Sequence, residues 1–444
     1  MNPVKFTLVI GLMAASGALP DDLQDLSERG GAPFKPMREK PEQLQSEIRD
    51  RLRDSLTLDD AVRIAAWNNR DIQTVLAEMT ASRAERRIGR MPPNPTLEAG
   101  IRFGEGERRA DYALTVDLSD LLFYPLKWSA AGAIFRRDKM KAAMELRGLI
   151  AEVKTSYYRL QAQDRIHGLL VSMLENAQTV DALSERQRKA GNISSLDRAV
   201  QEESKQNATL ALAGIEIELL SERMNFARLL GIGASETPIV LREDSLEPPP
   251  GDPAPDELIR LSVETNPEMS AAREDIFAAK RASTLANWNR LPSLRAGVAL
   301  EQEGSKSFIG PKVDLQVPLD FGWNAAAKAK AEKQAAGFRL ASIQDRTVGD
   351  IKAAAARLSA ARKAIRYYRD EIIPLREKVV EETQKQYNFM LLGVYQLIQA
   401  KQNEYAARRG LIESQRDYWL THTELERISG GPIPHSATHS GGAQ

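Results

Sequence analysis

The chain contains no cysteine among its 444 residues. Disulfides, thiolate metal sites and cysteine nucleophiles are therefore excluded, and with them the residue that would carry an N-terminal lipid anchor. Neither sign of charge is in excess: Lys+Arg and Asp+Glu number 61 each. A chain that tracks a phosphate backbone needs a basic surplus or stripe, so nucleic acid is not an expected partner. Beyond the N-terminus no apolar run approaches the roughly 20 residues of a spanning helix. If the chain crosses a membrane, it does so as strands. Proline is missing altogether between Pro125 and Pro238. Catalytic patterns are missing too: no phosphate-cradling Gly loop with Lys-Ser/Thr, no nucleophile elbow and no zinc helix. The four histidines, His167, His422, His435 and His439, are scattered, the last two in a Gly/Ser-rich tail. An enzyme, a cofactor and a bound metal are not expected.

What is present begins with Lys5, the apolar stretch Phe6 to Ala15, and then Ser16, Gly17 and Ala18. This is the order of an export signal, expected over residues 1–18. A polar, Pro/Gly-containing segment follows over 19–56.

The chain then repeats itself. At an offset of 197, Asp59, Val62, Arg63, Asn69 and Asp71 fall on Asp256, Ile259, Arg260, Asn266 and Glu268. Pro95, Leu97 and Gly100 fall on Pro292, Leu294 and Gly297, and Val116-Asp117-Leu118 on Val313-Asp314-Leu315. One register held this long means two copies of one structural unit. They span 57–237 and 256–430, with a Pro-rich linker at 238–255 and a tail, expected to be disordered, at 431–444. Each copy reads as helix, strand pair, very long helix, tight break and helix. The first helix is expected near Thr57 to Arg90, capped by Thr57, with its mate from Pro255 to Arg290. An uninterrupted helix from Leu126 to Ala190 would extend about 97 Å. Its mate, Trp323 to Leu392, contains Pro374, which should kink it or loosen a turn. Leu210, Ala213, Ile217, Leu220, Met224 and Ala227 step by alternating threes and fours, as do Leu397, Ala400, Glu404, Ala407, Leu411, Ser414, Tyr418, Thr421, Leu425 and Ile428. Both are seams of helices packed nearly parallel.

Four segments alternate with period two. Leu97, Ala99, Ile101 and Phe103 share a face, as do Tyr112, Leu114, Val116 and Leu118. The second copy repeats this with Leu294, Ala296, Val298 and Leu300, and with Val313, Leu315, Val317 and Leu319. The opposite face carries Arg102, Asp117, Arg295, Asp314 and Gln316, which would line an aqueous lumen. Four strands cannot close a barrel, and open edges cannot lie in lipid. The strands therefore imply a barrel shared between copies. Three chains would supply about twelve strands, within the bacterial range.

Ala65–Asn69 with Asp71, Thr265-Asn266-Pro267-Glu268, Pro318-Leu319-Asp320-Phe321-Gly322, Ala190-Gly191-Asn192-Ile193 with Leu196 and Asp197, and Gly393 with Leu397 and Ala400 recur in order. In this order the chain resembles the TolC family of outer-membrane efflux ducts from about Leu56 to Gly430. The resemblance implies a mainly α fold with a small β part. Long antiparallel helices form a helical barrel, and four strands per chain enter a shared trimeric β-barrel. It implies a homotrimer in the outer membrane of a Gram-negative bacterium, its helical tunnel in the periplasm. Such a duct passes drugs or metal ions received from a periplasmic adaptor and an inner-membrane pump. It also places a gate at the periplasmic tip, where Gly191 and Gly393 turn each long helix into its partner, both expected at positive φ. Asp197, Tyr395, Gln396 and Gln399 would close it, the two glutamines standing where acidic residues occur in the family. The main rival is a periplasmic adaptor or coiled-coil structural protein. An adaptor has one helical hairpin, against two here.

Overall fold

The computed structural model describes residues 55–103, 108–232, 239–242, 246–288, 292–303, 306–317, 322–431 and 433. The expected export signal, all but the end of segment 19–56, residues 318–321 and the tail histidines lie outside the described residues. In chain order the elements are α1 (Leu58–Asn68), α2 (Arg70–Ile88), β1 (Thr96–Phe103), β2 (Arg108–Asp117), α3 (Leu118–Lys189) and α4 (Ser195–Leu230). The second copy supplies α5 (Pro255–Thr265), α6 (Pro267–Trp288), β3 (Ser293–Glu303), β4 (Lys306–Gln316), α7 (Trp323–Tyr367), a π-helical turn (Tyr368–Ile372), α8 (Ile373–Asn388) and α9 (Val394–Ser429). The chain divides into two compact units. One holds residues 1–74, 146–265 and 347–444, the other 75–145 and 266–346.

The first expected helix of each copy is two helices, broken at the repeated asparagine. Asn69 leaves the helical region at φ −67°, ψ 126°. Its Oδ1 accepts the N–H groups of Asp71 (2.7 Å) and Ile72 (3.2 Å), capping α2. Its Nδ2 donates to the Leu229 carbonyl at 2.7 Å. Asn266 does the same in the second copy, accepting from Glu268 (2.8 Å) and Met269 (3.4 Å). A polar side chain that satisfies the orphan N–H groups of a new helix makes the break favourable. Thr57 caps α1 as expected, accepting from the Asp60 N–H at 3.1 Å.

The long helix of copy one starts earlier than Pro125 suggests. Asp117 Oδ1 accepts the Asp120 N–H at 2.9 Å and opens α3 at Leu118. Pro125 sits inside the helix at the cost of one N–H. The 72 residues of α3 span about 108 Å. In copy two Pro374 falls just after the π-helical turn. The wider turn accommodates a ring that would otherwise clash with the preceding carbonyls.

In the first unit α1 packs on α3 and α4 around Ile64, Tyr157, Leu160, Phe226 and Leu230. Equivalently, α5 packs on α7 and α9 around Leu258, Ile351, Leu358, Tyr418 and Leu425. The start of the linker pairs with Leu56 of the first group, and its later part is held to the second. Arg362 donates to the Pro249 carbonyl (2.7 Å) and to Tyr418 Oη (2.7 Å), and pairs with Asp252 at 2.5 Å. Burial pushes the Tyr418 phenol up to about 12. The α9 seam is buried at Ala400, Glu404, Ala407, Tyr418, Leu425 and Ile428. The α4 stripe is buried only at its last member, Ala227. Leu210, Ile217, Leu220 and Met224 are exposed, and α4 instead buries Ala208, Ile215, Leu219 and Phe226 on a neighbouring face.

In the second unit the four strands form one antiparallel sheet in the order β1-β2-β3-β4. The two strand pairs are joined by β2 and β3, with Val116 opposite Ala296 and Leu114 opposite Val298. Both β1 and β4 keep one unpaired edge among the described residues. Leu118 and Ser119, expected in the second strand, belong to α3.

Candidate functional site: a two-faced sheet and two hairpin tips

The register fixes the faces of the sheet. Leu97 lies opposite Leu114, Leu114 opposite Val298, Leu294 opposite Leu315 and Leu300 opposite Ile309. All of these share one face, and it is bare: Leu97, Ile101 and Ile309 are 73%, 63% and 78% exposed. The other face is charged. Arg102 pairs with Asp111 at 2.7 Å, Arg109 with Glu303, and Lys312 with Glu98 and with Asp314, the last at 3.8 Å. Arg295 lies between Asp117 and Asp314 in register and donates to Gln316 Oε1 at 3.4 Å. Arg102, Asp117, Arg295, Asp314 and Gln316 therefore all stand on this polar face. Beneath the ion pairs Thr115 is 1% exposed. A half-buried sheet in water turns its apolar side chains inward. This one turns them outward and keeps its charges on the other side, the pattern of a lipid-facing strand set with an aqueous interior.

An aromatic belt at the sheet–helix junction escaped the sequence reading. Trp128, Trp288 and Trp323 are exposed there. Phe123 and Trp288 rings lie 5.5 Å apart, and Arg90 covers the Trp128 ring at 4.3 Å. Indoles at this level suit a membrane–water interface. The available signal was the position of Trp288 at the end of α6 and Trp323 at the start of α7, on either side of the second strand pair.

The two hairpin tips share a hydrogen-bond pattern. The Asn192 N–H donates to Gln187 O and the Leu391 N–H to Gln386 O, both at 2.8–2.9 Å, which closes each long helix in a Schellman turn. Gly191 takes the left-handed position at φ +75°, as expected. Gly393 does not. It lies at φ −78°, ψ 164°, as the N-cap of α9, and the left-handed residue of the second tip is Met390 at φ +57°. Gly393 thus corresponds to Ser194, not to Gly191.

Asp197 occupies the third position of α4 and completes a capping box. Ser194 Oγ accepts the Asp197 N–H at 3.0 Å, and Asp197 Oδ2 accepts from Ser194. Gln396 occupies the third position of α9, its Oε1 close to Gly393. Gln399 donates to Asn403 at 3.4 Å, and Tyr395 is exposed. Behind the first tip Arg198 pairs with Asp181 (2.6 Å) and Glu185 (3.2 Å), and Lys205 with Asp181 (3.0 Å). Hydrogen bonding from Arg198 and Lys189 holds the Glu185 carboxyl below its usual range. Further from the tips the two hairpins meet, where Gln402 donates to Ser204 Oγ at 3.4 Å and Asn176 to Tyr405 Oη at 2.6 Å. Among the described residues no cluster of His, Asp and Glu could hold a metal ion.

Comparison with known proteins places this fold among solved outer-membrane channel structures. Residues 61–232 match the family of outer membrane efflux proteins, a span that lies within the first copy of the repeat. No curated protein matches the chain by sequence. Among solved structures, the fold is similar to that of the Campylobacter jejuni CmeC outer membrane channel, with TM-score 0.75 and 13% identity over 92% of this chain and 94% of that one. It is also similar to the outer membrane protein VceC of Vibrio cholerae, with TM-score 0.71 and 13% identity over 85% and 97%. The open-state Neisseria gonorrhoeae MtrE outer membrane channel gives TM-score 0.68 and 16% identity over 85% and 89%. The resemblance drawn from the motifs and the expected fold class both stand.

Proposed function

We propose that three copies of this chain form an outer-membrane exit channel of an efflux system. The observation that carries this reading is the inverted sheet. Its apolar face is exposed, its charged face is internally paired, and both its edges are open. Closing twelve strands satisfies the edges and places the bare face in lipid. The exposed stripe of Leu210, Ile217, Leu220 and Met224 supports the same assembly, since a neighbouring copy would cover it. The helices extend into the periplasm, where an adaptor and an inner-membrane pump deliver the cargo, drugs or metal ions. The two hairpins and the sheet weigh against the adaptor reading. At the tips Asp197, Tyr395, Gln396 and Gln399 form the gate, with Gly191 and Gly393 setting the turns.

The test is purification from membranes in detergent, followed by planar-bilayer conductance. A homotrimer with resting conductance is expected, whereas a soluble monomer at native expression overturns the reading. Val298→Arg should impair assembly, because Arg on the lipid face costs about 2–4 kcal/mol near the midplane. Gln316→Glu on the polar face should assemble normally. Gln396→Asp with Gln399→Asp should widen the tip and increase block by divalent cations, since like charges at short range repel and attract cations.

A further inference from the structure

The sheet-proximal end of α2 carries a feature that channel formation does not use. Arg83, Arg86 and Arg87 of α2 and Arg90 in the turn just after it stand three or four residues apart in the pairs 83/86, 83/87, 86/90 and 87/90, which puts them on one side. Arg198, Arg223, Arg357 and Arg408 show the ion-paired alternative elsewhere in the chain. Among the described residues, none of these four arginines has a carboxylate within ion-pair distance, and the Nε atoms of Arg86 and Arg90 are buried without a hydrogen-bond partner. They are nevertheless held in place. Arg86 lies over the Phe135 ring at 4.9 Å and Arg90 over Trp128 at 4.3 Å. A side chain at Gly132 would meet Arg90 at 3.3 Å and Arg136 at 3.7 Å, so these guanidinium groups crowd one small patch of α3. Burial first, and then the cations of Arg90, Arg136 and Arg83, hold the Arg86 guanidinium below its ordinary pKa. Two residues of the last turn, Arg86 and Arg87, also favour the helix dipole, but that accounts for neither the other two nor the ring platforms. The repeat makes the point sharper. The corresponding positions of α6 are Lys280, Ser283, Thr284 and Asn287, so the hairpin geometry does not demand four arginines.

We propose that this end of α2, with the Trp128 platform, binds the phosphate of anionic phospholipid headgroups at the periplasmic surface of the outer membrane. The guanidinium fork matches phosphate oxygens bidentately. The site borders exposed apolar residues: Ile88 lies within it, and Met91, Leu121 and Leu122 stand in the chain segments between it and β1 and β2. An unpaired cationic patch bordering an apolar, Trp-bearing surface is complementary to an anionic headgroup above acyl chains.

The inference rests on the membrane reading, and its test separates the two. The trimer is reconstituted in phosphatidylcholine bilayers containing a minor fraction of phosphatidylglycerol. Spin-labelled forms of each lipid then report which is retained at the protein surface. Wild type should retain phosphatidylglycerol preferentially, by about fivefold for each arginine engaged. Arg83→Gln with Arg87→Gln should reduce that preference severalfold. Neither residue has a ring partner, so folding should be kept. The Arg223→Gln control should retain the preference, and so should wild type in millimolar inorganic phosphate. Equal retention of the two lipids by wild type, or an unchanged preference in the double variant, overturns the headgroup site while leaving the channel intact. Loss of the preference in free phosphate overturns the lipid as its ligand. A trimer that enters neither bilayer overturns the membrane reading itself.

Discussion

Helices α4 and α9 are both 36 residues long and occupy the same place in the two copies. Each carries an apolar stripe at alternating steps of three and four. The α9 stripe is buried within the chain, with Leu425 at 0% exposed, whereas Ile217 of the α4 stripe is 72% exposed. Periodicity reports that a seam exists, not whose helix fills it. The second hairpin completes its packing internally, while most of the first hairpin's stripe stays uncovered, and in the proposed trimer another copy would cover it. The sharpest way to break this comparison is to truncate one residue from each. Leu425→Ala should cost about 2–5 kcal/mol of folding stability, because it empties a closed site. Ile217→Ala should leave the fold of the chain unchanged and weaken the trimer. Denaturation of the detergent-solubilised protein, read beside its oligomeric state, checks both. Equal loss of folding stability in the two variants would mean that the α4 stripe is covered within the chain.

Much of the architecture was legible because the repeat held one register through residues that do recognisable work. Asn69 and Asn266 aligned in the sequence, and they prove to do the same job. That job, breaking the first helix in two, was not legible, since an asparagine inside a periodic run offers no break until its side chain finds the N–H groups beyond it. Pro125 misled in the opposite direction. It looks like a boundary, but Asp117 caps the helix ahead of it and a single missing N–H is tolerated. The strand faces followed from period-two alternation alone. The tip was half legible. Gly191 is left-handed as its residue type suggests, but Met390 holds that position in the second copy, and nothing in a methionine announces it.

The sheet offers a second comparison between copies. Gly100 and Gly297 are repeat mates on the polar face. A Cβ on Gly297 would lie 1.9 Å from the Leu114 carbonyl oxygen, while one on Gly100 would meet nothing nearer than Asp111 at 3.9 Å. The close approach of β2 and β3 joins the two strand pairs, so it has no counterpart at Gly100. Gly297→Ala should destabilise by about 1–3 kcal/mol through overpacking against backbone, and Gly100→Ala should be near neutral. Heat stability of the trimer on unboiled gels is a direct measure. Equal behaviour would mean that the central strand pair is not so closely joined.

The tips give the smallest effect and the most local one. In the first, Ser194 and Asp197 satisfy each other and the start of α4. In the second, Gly393 supplies no side-chain cap to α9, although Gln396 stands in the position a capping box would use. Gly393→Ser would create the missing Ser-x-x-Gln pattern. Its φ of −78° suits serine, and the only close neighbour of an added Cβ is the flexible end of Gln396 at 3.2 Å. Serine is preferred to glycine at this position by only a few tenths of a kcal/mol, so global unfolding will hardly move. Amide hydrogen exchange in the first turn of α9 is the sensitive measure, and protection at Tyr395 and Gln396 should rise in the variant. Ser194→Ala should have the opposite effect on the first turn of α4, costing about 1 kcal/mol. If the second tip moves when the pore opens, its uncapped first turn is the part that yields, and Gly393→Ser should also lower open probability in planar bilayers. Unchanged exchange at Gln396 would show that its amide is already satisfied, and the difference between the tips would then lie in Met390 alone.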